Sequence, residues 1–354
     1  MPALTIAFIT LFKRANSFPQ DMGKYFTANY IIIGLSILLS FAVNMPVYTY
    51  SSGIGIKGWF YTGNSQSYII SVMVMLAMFY AYQKKNNLVF ILTMVVAFTL
   101  MFLLGTLVAM YSIFITIFAY LVIILWNREK RWVMAAALLC TLLVSVLIFP
   151  YTPCRSMSLA EQESLNQWEE LLGKPSEDSD GESVILENEL QDTLLAPLVD
   201  RFGYDKTLEV YGGSIDATEL MDNRQMKVHF GLLTMSEKDM WVWLFGCEDA
   251  DLYFKGEVFD PENDFPAVFF YYGIVGIALY VVFLGYFAFI LIKDIFKSLK
   301  KLPVDKIILG LSLVLSMGCA ELSANVLRRP NASIYISLML AYTYYVCKIN
   351  KEQK

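Results

Sequence analysis

The sequence predicts an all-α membrane protein with about eight transmembrane helices. The chain has 354 residues, of which 57% are hydrophobic and only 17% are charged, and this balance is too apolar for one soluble domain of this length. Several segments are long enough, with almost no charge, for an α-helix to cross a bilayer core of about 30 Å. They are apolar on every face, whereas a membrane β-barrel would show alternating strands of about ten residues.

The apolar segments place the spanning helices in order along the chain. We expect them at residues 28–46, 66–83, 87–105, 106–127, 132–150, 265–292, 305–325 and 333–348. The first twelve residues are also apolar but too short to span, and Lys13 and Arg14 follow them directly. Residues 1–12 are therefore expected to form a partial or interfacial helix.

Charge is divided sharply between residues 151–264 and the rest of the chain. This loop holds 26 of the 32 acidic residues and 8 of the 27 Lys and Arg residues. If the first span starts in the cytoplasm, 16 basic residues lie on the inner side and only Lys57, Arg328 and Arg329 lie in short outer loops. The positive-inside rule then places both termini in the cytoplasm and the acidic loop outside. The predicted domains are membrane helices 1 to 5 at 1–150, the extracytoplasmic loop at 151–264, and helices 6 to 8 with the tail at 265–354.

The residue types argue against two kinds of site. The soluble loop lacks the clustered Lys and Arg that a nucleic-acid backbone requires, so no nucleic-acid partner is predicted. The five cysteines form no CxxC pair, and His229 is the single histidine. We therefore predict neither a metal site nor a cofactor. Cys154 and Cys247 share the outer loop, where the sequence is consistent with a disulfide or with two free thiols.

Short helices are expected within the outer loop. Apolar residues recur at helical spacing at 165–172 and again at 186–202. Between these segments, residues 173–183 are polar and contain proline and glycine, which indicates an exposed connection. A third helix is expected to start near Asp216 and to run through Phe230.

Three acids and an amide end the outer loop where the sixth span begins, in the sequence Asp260-Pro-Glu-Asn-Asp264. A carboxylate at the lipid boundary loses hydration, so its pKa can rise toward that of a general base. The same acids are also suited to cap the helix and to complement its dipole. Both interpretations of Asp260, Glu262 and Asp264 are open from the residues alone.

Three arginines are candidate anion contacts. A guanidinium group binds diphosphate oxygens in a bidentate manner, which suits Arg224 to a lipid-linked phosphate substrate. An isolated arginine more commonly pairs with a neighbouring acid, however. Arg328 and Arg329 lie in a short outer loop, where the positive-inside rule disfavours a basic pair. They either bind phosphate or extend to the outer headgroups of the bilayer.

Four local patterns resemble the O-antigen ligase and O-antigen polymerase family of bacterial membrane glycosyltransferases, in particular its Gram-positive members. They are GIKGWFYTGNSQSYIIS at 55–71, LLGTLVAMYSI at 103–113, DNRQMKVHF with WLFGCE within 222–248, and ENDFPAVFFYYGIVGI at 262–277. Glu262 stands where many relatives have a histidine, and Leu107 stands where many have Lys or Arg. Family members tend to have ten or more spans, so this chain resembles an N-terminally shortened member.

The resemblance implies an enzyme of cell-envelope polysaccharide biosynthesis. It would transfer a glycan from undecaprenyl diphosphate to an acceptor hydroxyl of a glycan or wall polymer, on the outer face of the bacterial plasma membrane. The implied reaction is inverting and metal-independent, and it is that of a polymerase or a ligase. Glu262 or Asp264 would accept the proton of the acceptor, and Arg224 would stabilise the diphosphate. The further substrate contacts implied are Lys57, Asn64, Asn263, Arg328 and Arg329.

A secondary transporter or polysaccharide exporter is the alternative function, because many polytopic proteins are carriers. Carriers usually bind substrate near the bilayer midplane, through broken helices and internal charges. In this sequence the spans are nearly free of charge in their middles and the outer loop is long. These two features favour the glycosyltransferase.

Overall fold

The computed structural model describes residues 1–15, 22–45, 47–50, 53–60, 62–172, 190–191, 193–298, 300, 302–322 and 326–349. The chain divides into two compact units. Unit 1 consists of Met1–Met157 and Val282–Lys354, and unit 2 consists of Ser158–Val281. The predicted connection at 173–183 lies outside the described residues. Of the helix predicted over 186–202, residues 186–189 and 192 also lie outside them, and the rest turns at 193–195 and is a regular helix only at Ala196–Phe202.

The secondary structure is almost entirely helical. The first helices are α1 (Pro2–Arg14), α2 (Met22–Ala42), α3 (Gly63–Gln83), α4 (Asn87–Leu104), α5 (Leu107–Trp126), α6 (Trp132–Ile148) and α7 (Pro153–Leu172). They are followed by α8 (Ala196–Phe202), α9 (Tyr204–Val210), α10 (Ala217–Met221), α11 (Asn223–Ser236) and α12 (Met240–Phe245). An antiparallel hairpin of β1 (Tyr253–Phe254) and β2 (Glu257–Val258) precedes α13 (Asp264–Phe296), α14 (Val304–Leu322), α15 (Pro330–Tyr344) and a π-helical turn (Tyr345–Ile349).

Seven helices of the described chain are long and apolar enough to cross a membrane. They are α2 to α6, α13, and α15 with its π-helical turn, and they correspond to seven of the eight predicted spans. The remaining predicted span, 305–325, is the helix α14. It carries Asp305, Lys306 and Glu321, and for this reason it is not among the seven. The chain is a multi-pass, all-α membrane protein.

Helix α3 lies at the centre of unit 1 and is almost wholly buried. The Tyr120 hydroxyl on α5 donates to the carbonyl of Met75 on α3 at 2.9 Å. On α14, Ser316 Oγ lies 3.3 Å from Tyr68 Oη, and Ser312 Oγ lies 3.6 Å from Met75 Sδ. These two contacts show that α14 runs antiparallel to α3. The C-terminal end of α14 therefore lies at the same end of unit 1 as the start of α3.

The N-terminal helix α1 packs along α15 within unit 1. Ser337 Oγ donates to the Met1 carbonyl at 3.2 Å, and the ring of Phe12 meets Tyr345 edge-on with centroids 6.2 Å apart. Phe12 is fully buried. Helix α1 is therefore docked on another helix of unit 1 by its buried phenylalanine.

Unit 2 has its own apolar core around α11. The buried ring of Phe230 stacks on Phe259, with centroids 4.2 Å apart, and meets Phe202 edge-on at 5.3 Å. The prediction of one continuous helix from Asp216 through Phe230 is wrong. Asp222 leaves the helical conformation (φ −86, ψ 85), and its side chain accepts from the first amides of α11, so the segment forms two helices.

Two glycines of unit 2 bring the end of α12 against α13. Gly246 and Gly273 both have positive φ, at 93° and 63°, and Gly273 interrupts the helical conformation of α13. A Cβ atom on either residue would overlap backbone atoms of the other segment. The Cys247 amide donates to the carbonyl of Phe270 at 2.7 Å across this crossing.

Both Cys247 and Cys154 are buried free thiols.

Candidate functional site

The start of α11 presents two cations on one face. The Asp222 side chain caps this helix by accepting from the amides of Arg224 at 2.9 Å and Gln225 at 3.0 Å. Since Arg224 and Lys227 are three residues apart in the helix, their side chains lie on the same face. This arrangement places a guanidinium group and an ammonium group side by side.

The two cations meet the carboxylate of Glu262, which lies in the short segment before α13. Arg224 Nε is 3.3 Å from Glu262 Oε2, and Lys227 Nζ is 3.3 Å from Glu262 Oε1. The side chains of Arg224, Lys227 and Glu262 are 39%, 20% and 31% exposed, so a ligand can reach them from solvent. The structure thus brings two sequence-predicted site residues, Arg224 and Glu262, into direct contact.

The neighbours of Glu262 have different surroundings. Asp264 is fully buried in the first turn of α13, where a carboxylate complements the positive end of the helix dipole. The Asn263 side-chain oxygen is buried and has no hydrogen-bond partner in the described part of the chain. Of the two candidate bases, Glu262 is therefore the one whose carboxylate is accessible.

The other sequence-predicted contacts lie at one end of unit 1. Asn64 is in the first turn of α3. Lys57 lies in the loop before α3 and is held close to the start of this helix, because Gln66 Nε2 donates to its carbonyl at 2.9 Å. Arg328 and Arg329 lie between α14 and α15, with Arg329 preceding the first residue of α15. Since α14 runs antiparallel to α3, these four residues share an end of unit 1. Arg224, Asn263, Glu262 and Asp264 belong to unit 2.

Sequence reasoning missed Lys227. Its contact with Glu262 joins residues that are 35 positions apart in the chain, and sequence spacing alone does not reveal such a pair. One local signal was present: Asp222 is a suitable N-cap, and a helix starting there puts Lys227 on the face of Arg224. In the described residues, no group of three or more His, Cys, Asp or Glu side chains is placed to hold a metal ion.

His229 lies on α11, close to the candidate site. Its ring meets Tyr211 edge-on, with centroids 4.2 Å apart, and its Nδ1 is buried without a hydrogen-bond partner among the described residues. Burial lowers the pKa of His229, and the nearby Asp222 opposes this shift only in part. The folded protein therefore favours the neutral imidazole.

This burial predicts a pH-dependent stability. In the unfolded chain His229 has its ordinary pKa of about 6.5, whereas burial lowers this pKa in the folded protein. Below about pH 6.5 the unfolded chain therefore binds a proton more readily than the folded protein, and the free energy of unfolding falls as the pH falls. The unfolding temperature should therefore drop between pH 7.5 and 5.5, and the drop should be smaller in a His229→Gln variant. Since His229 is the only histidine, an equal drop in both proteins would contradict this assignment.

The comparisons with known proteins agree with the membrane architecture. A family model described as O-antigen ligase like membrane protein matches residues 1–352. Neither the curated proteins nor the solved structures gave a match.

Proposed function

The chain belongs to the family of O-antigen ligase like membrane proteins, and on this premise we propose that it transfers a glycan from undecaprenyl diphosphate to an acceptor hydroxyl. Family membership itself indicates a membrane enzyme of glycan transfer in surface polysaccharide biosynthesis. The lipid diphosphate donor, the bacterial plasma membrane and the outward orientation of residues 151–264 are parts of the proposal. A glycan or a wall polymer is the acceptor.

The observation that carries this proposal is the contact of Arg224 and Lys227 with Glu262. Two cations on one helix face match the charge of a diphosphate, and a guanidinium group binds its oxygens in a bidentate manner. As the glycosidic bond to phosphate breaks, negative charge accumulates on the leaving oxygen. Donors fixed in place before the reaction stabilise that charge most effectively.

The same contact suggests how Glu262 acts as the base. In the ligand-free protein, its carboxylate oxygens lie 3.3 Å from the two cations. A bound diphosphate competes for those cations and leaves the carboxylate available to the acceptor. Glu262 then takes the hydroxyl proton while the acceptor oxygen bonds to the anomeric carbon. The diphosphate departs from the opposite face with the bonding electron pair, so the configuration inverts.

We also propose substrate contacts at Asn263 in unit 2 and at Lys57, Asn64, Arg328 and Arg329 in unit 1. The side-chain oxygen of Asn263 has no hydrogen-bond partner among the described residues, so a hydrogen bond accepted from a sugar hydroxyl would satisfy it. The other four share the end of unit 1 that we propose to face outward. In a short outer loop, a pair of arginines is better explained by binding phosphate than by orienting the chain. Asp264, which is fully buried, is proposed to position the start of α13 beside Glu262.

Replacement of the two cations tests the proposed donor site. We expect Arg224→Ala to lower kcat/KM for a lipid-linked oligosaccharide donor by about 100-fold, as loss of a donor to a developing oxyanion does in other enzymes. Lys227→Ala should act in the same direction. Lys206→Ala is the matched control, because Lys206 pairs with Glu237 at 2.9 Å in an exposed salt bridge elsewhere in unit 2. Equal rates in all three variants would contradict the donor site.

A further inference from the structure

A second candidate site lies in unit 1, where α3 joins α4 and α5 joins α6. A cavity of about 670 Å³ opens there. It is lined by Lys85, Asn87, Glu129, Lys130, Arg131, Trp132, Val133 and Met134. None of these residues takes part in the proposed glycan transfer, so the cavity requires a separate explanation.

The charges of this cavity do not cancel. Arg131 Nε lies 2.5 Å from Glu129 Oε2, and its guanidinium group lies 3.6 Å from the centre of the Tyr82 ring. The charges of Arg131 and Glu129 therefore neutralise each other. Lys85 and Lys130 are exposed and have no ion-pair partner among the described residues. The cavity thus has two available ammonium groups, which favour an anionic ligand.

Apolar side chains extend from the cavity along the neighbouring helices. On α6, Trp132 is 71% and Val133 is 53% exposed, and on α4, Leu88 is 65% and Leu92 is 55% exposed. In a membrane-spanning protein such residues face the acyl chains, and tryptophan is typical of the level where the chains meet the headgroups. The cavity therefore places two cations at headgroup level, beside an acyl-chain surface.

We propose that this cavity binds the headgroup of an anionic phospholipid. Lys85 and Lys130 contact the phosphate oxygens, and the acyl chains lie along the exposed apolar residues of α4 and α6. Basic pockets between membrane helices bind anionic headgroups in this way. The exposed apolar residues of α4 and α6 favour a lipid over free inorganic phosphate, because phosphate would not contact them.

Lipid binding to the purified full-length chain tests this proposal. Native mass spectrometry in mild detergent would compare phosphatidylglycerol with phosphatidylcholine. The wild-type protein should prefer phosphatidylglycerol, and the preference should fall about five-fold for each lysine removed in Lys85→Ser and Lys130→Ser, and about 25-fold in the double variant. Lys84→Ser is the matched control, because Lys84 lies over the Tyr80 ring at 5.3 Å and does not line the cavity.

Each outcome of this experiment supports or overturns the site. Equal retention of the two lipids by the wild-type protein would overturn it without any variant. A preference that survives the double substitution would show that the lipid is selected elsewhere on the protein. A preference that falls equally in Lys84→Ser would show that overall charge, and not this cavity, selects the lipid. Displacement of phosphatidylglycerol by excess inorganic phosphate at constant ionic strength would assign the cavity to free phosphate instead.

Discussion

Replacement of Glu262 by glutamine should lower kcat for glycan transfer by about 10²- to 10⁴-fold, the usual contribution of a general base. Glutamine keeps the size of the side chain and one hydrogen-bond acceptor, but it does not accept the proton of the acceptor hydroxyl. KM for the donor should stay the same or fall, because Arg224 and Lys227 lose their carboxylate partner and bind diphosphate more readily. Steady-state kinetics with a lipid-linked oligosaccharide would separate the two parameters.

Two comparison variants make this result specific. Glu257→Gln removes the charge of an exposed carboxylate on β2, and it should leave kcat unchanged. Asp264→Asn alters a fully buried carboxylate, and it should lower stability more than kcat. If Glu262→Gln kept the wild-type kcat while Asp264→Asn lost it, the base would be Asp264, and Glu262 would be only an ion-pair partner.

Replacement of Gly273 by alanine should strongly destabilise unit 2. Its φ of 63° is unfavourable for alanine, and the added Cβ would overlap the backbone of Leu244 and Phe245. These atoms belong to the main chain, so no side-chain rotation relieves the overlap. The two costs together destabilise the fold by roughly 2–5 kcal/mol, a large part of the stability of a domain. Thermal unfolding of the purified protein measures this loss.

Two other glycines separate the causes of this effect. Gly256 has a φ of 91° but open space around it, so Gly256→Ala measures the backbone strain alone. Gly285 lies in α13 with open space and without positive φ, so Gly285→Ala should be neutral or slightly stabilising. Equal stability of the Gly273→Ala and Gly285→Ala variants would show that the close approach of the two segments is not required.

Most of the helical framework could be predicted from the sequence, because a helix surrounded by lipid must be apolar over its whole length. Residues 87–104, for example, form a helix almost where the apolar run predicts it. The prediction of helices was less accurate where a polar or charged side chain interrupts the apolar pattern. Asp222 ends one helix and caps the next. Helix α14 carries three charged residues, and for this reason it is not among the seven helices that are long and apolar enough to cross a membrane.

The candidate site was predictable only in part. Arg224 and Glu262 stood out because a guanidinium group suits a diphosphate and a carboxylate beside an apolar span suits a general base. Their contact joins positions 38 residues apart, and it depends on how α11 packs against the segment before α13. The contact of Lys227 with Glu262 and the crossing of Gly246 and Gly273 also join residues that are far apart in the sequence. Long-range contacts of this kind are not set by local spacing or by helix propensity.

The most direct test of the central claim is the release of undecaprenyl diphosphate by the wild-type protein. The full-length chain would be reconstituted in vesicles with an undecaprenyl-diphosphate-linked oligosaccharide and an acceptor, in the presence of EDTA. We predict one undecaprenyl diphosphate released for each glycan transferred, with inverted anomeric configuration in the product. Movement of the intact donor across the membrane without release of undecaprenyl diphosphate would contradict the glycosyltransferase and would identify an exporter.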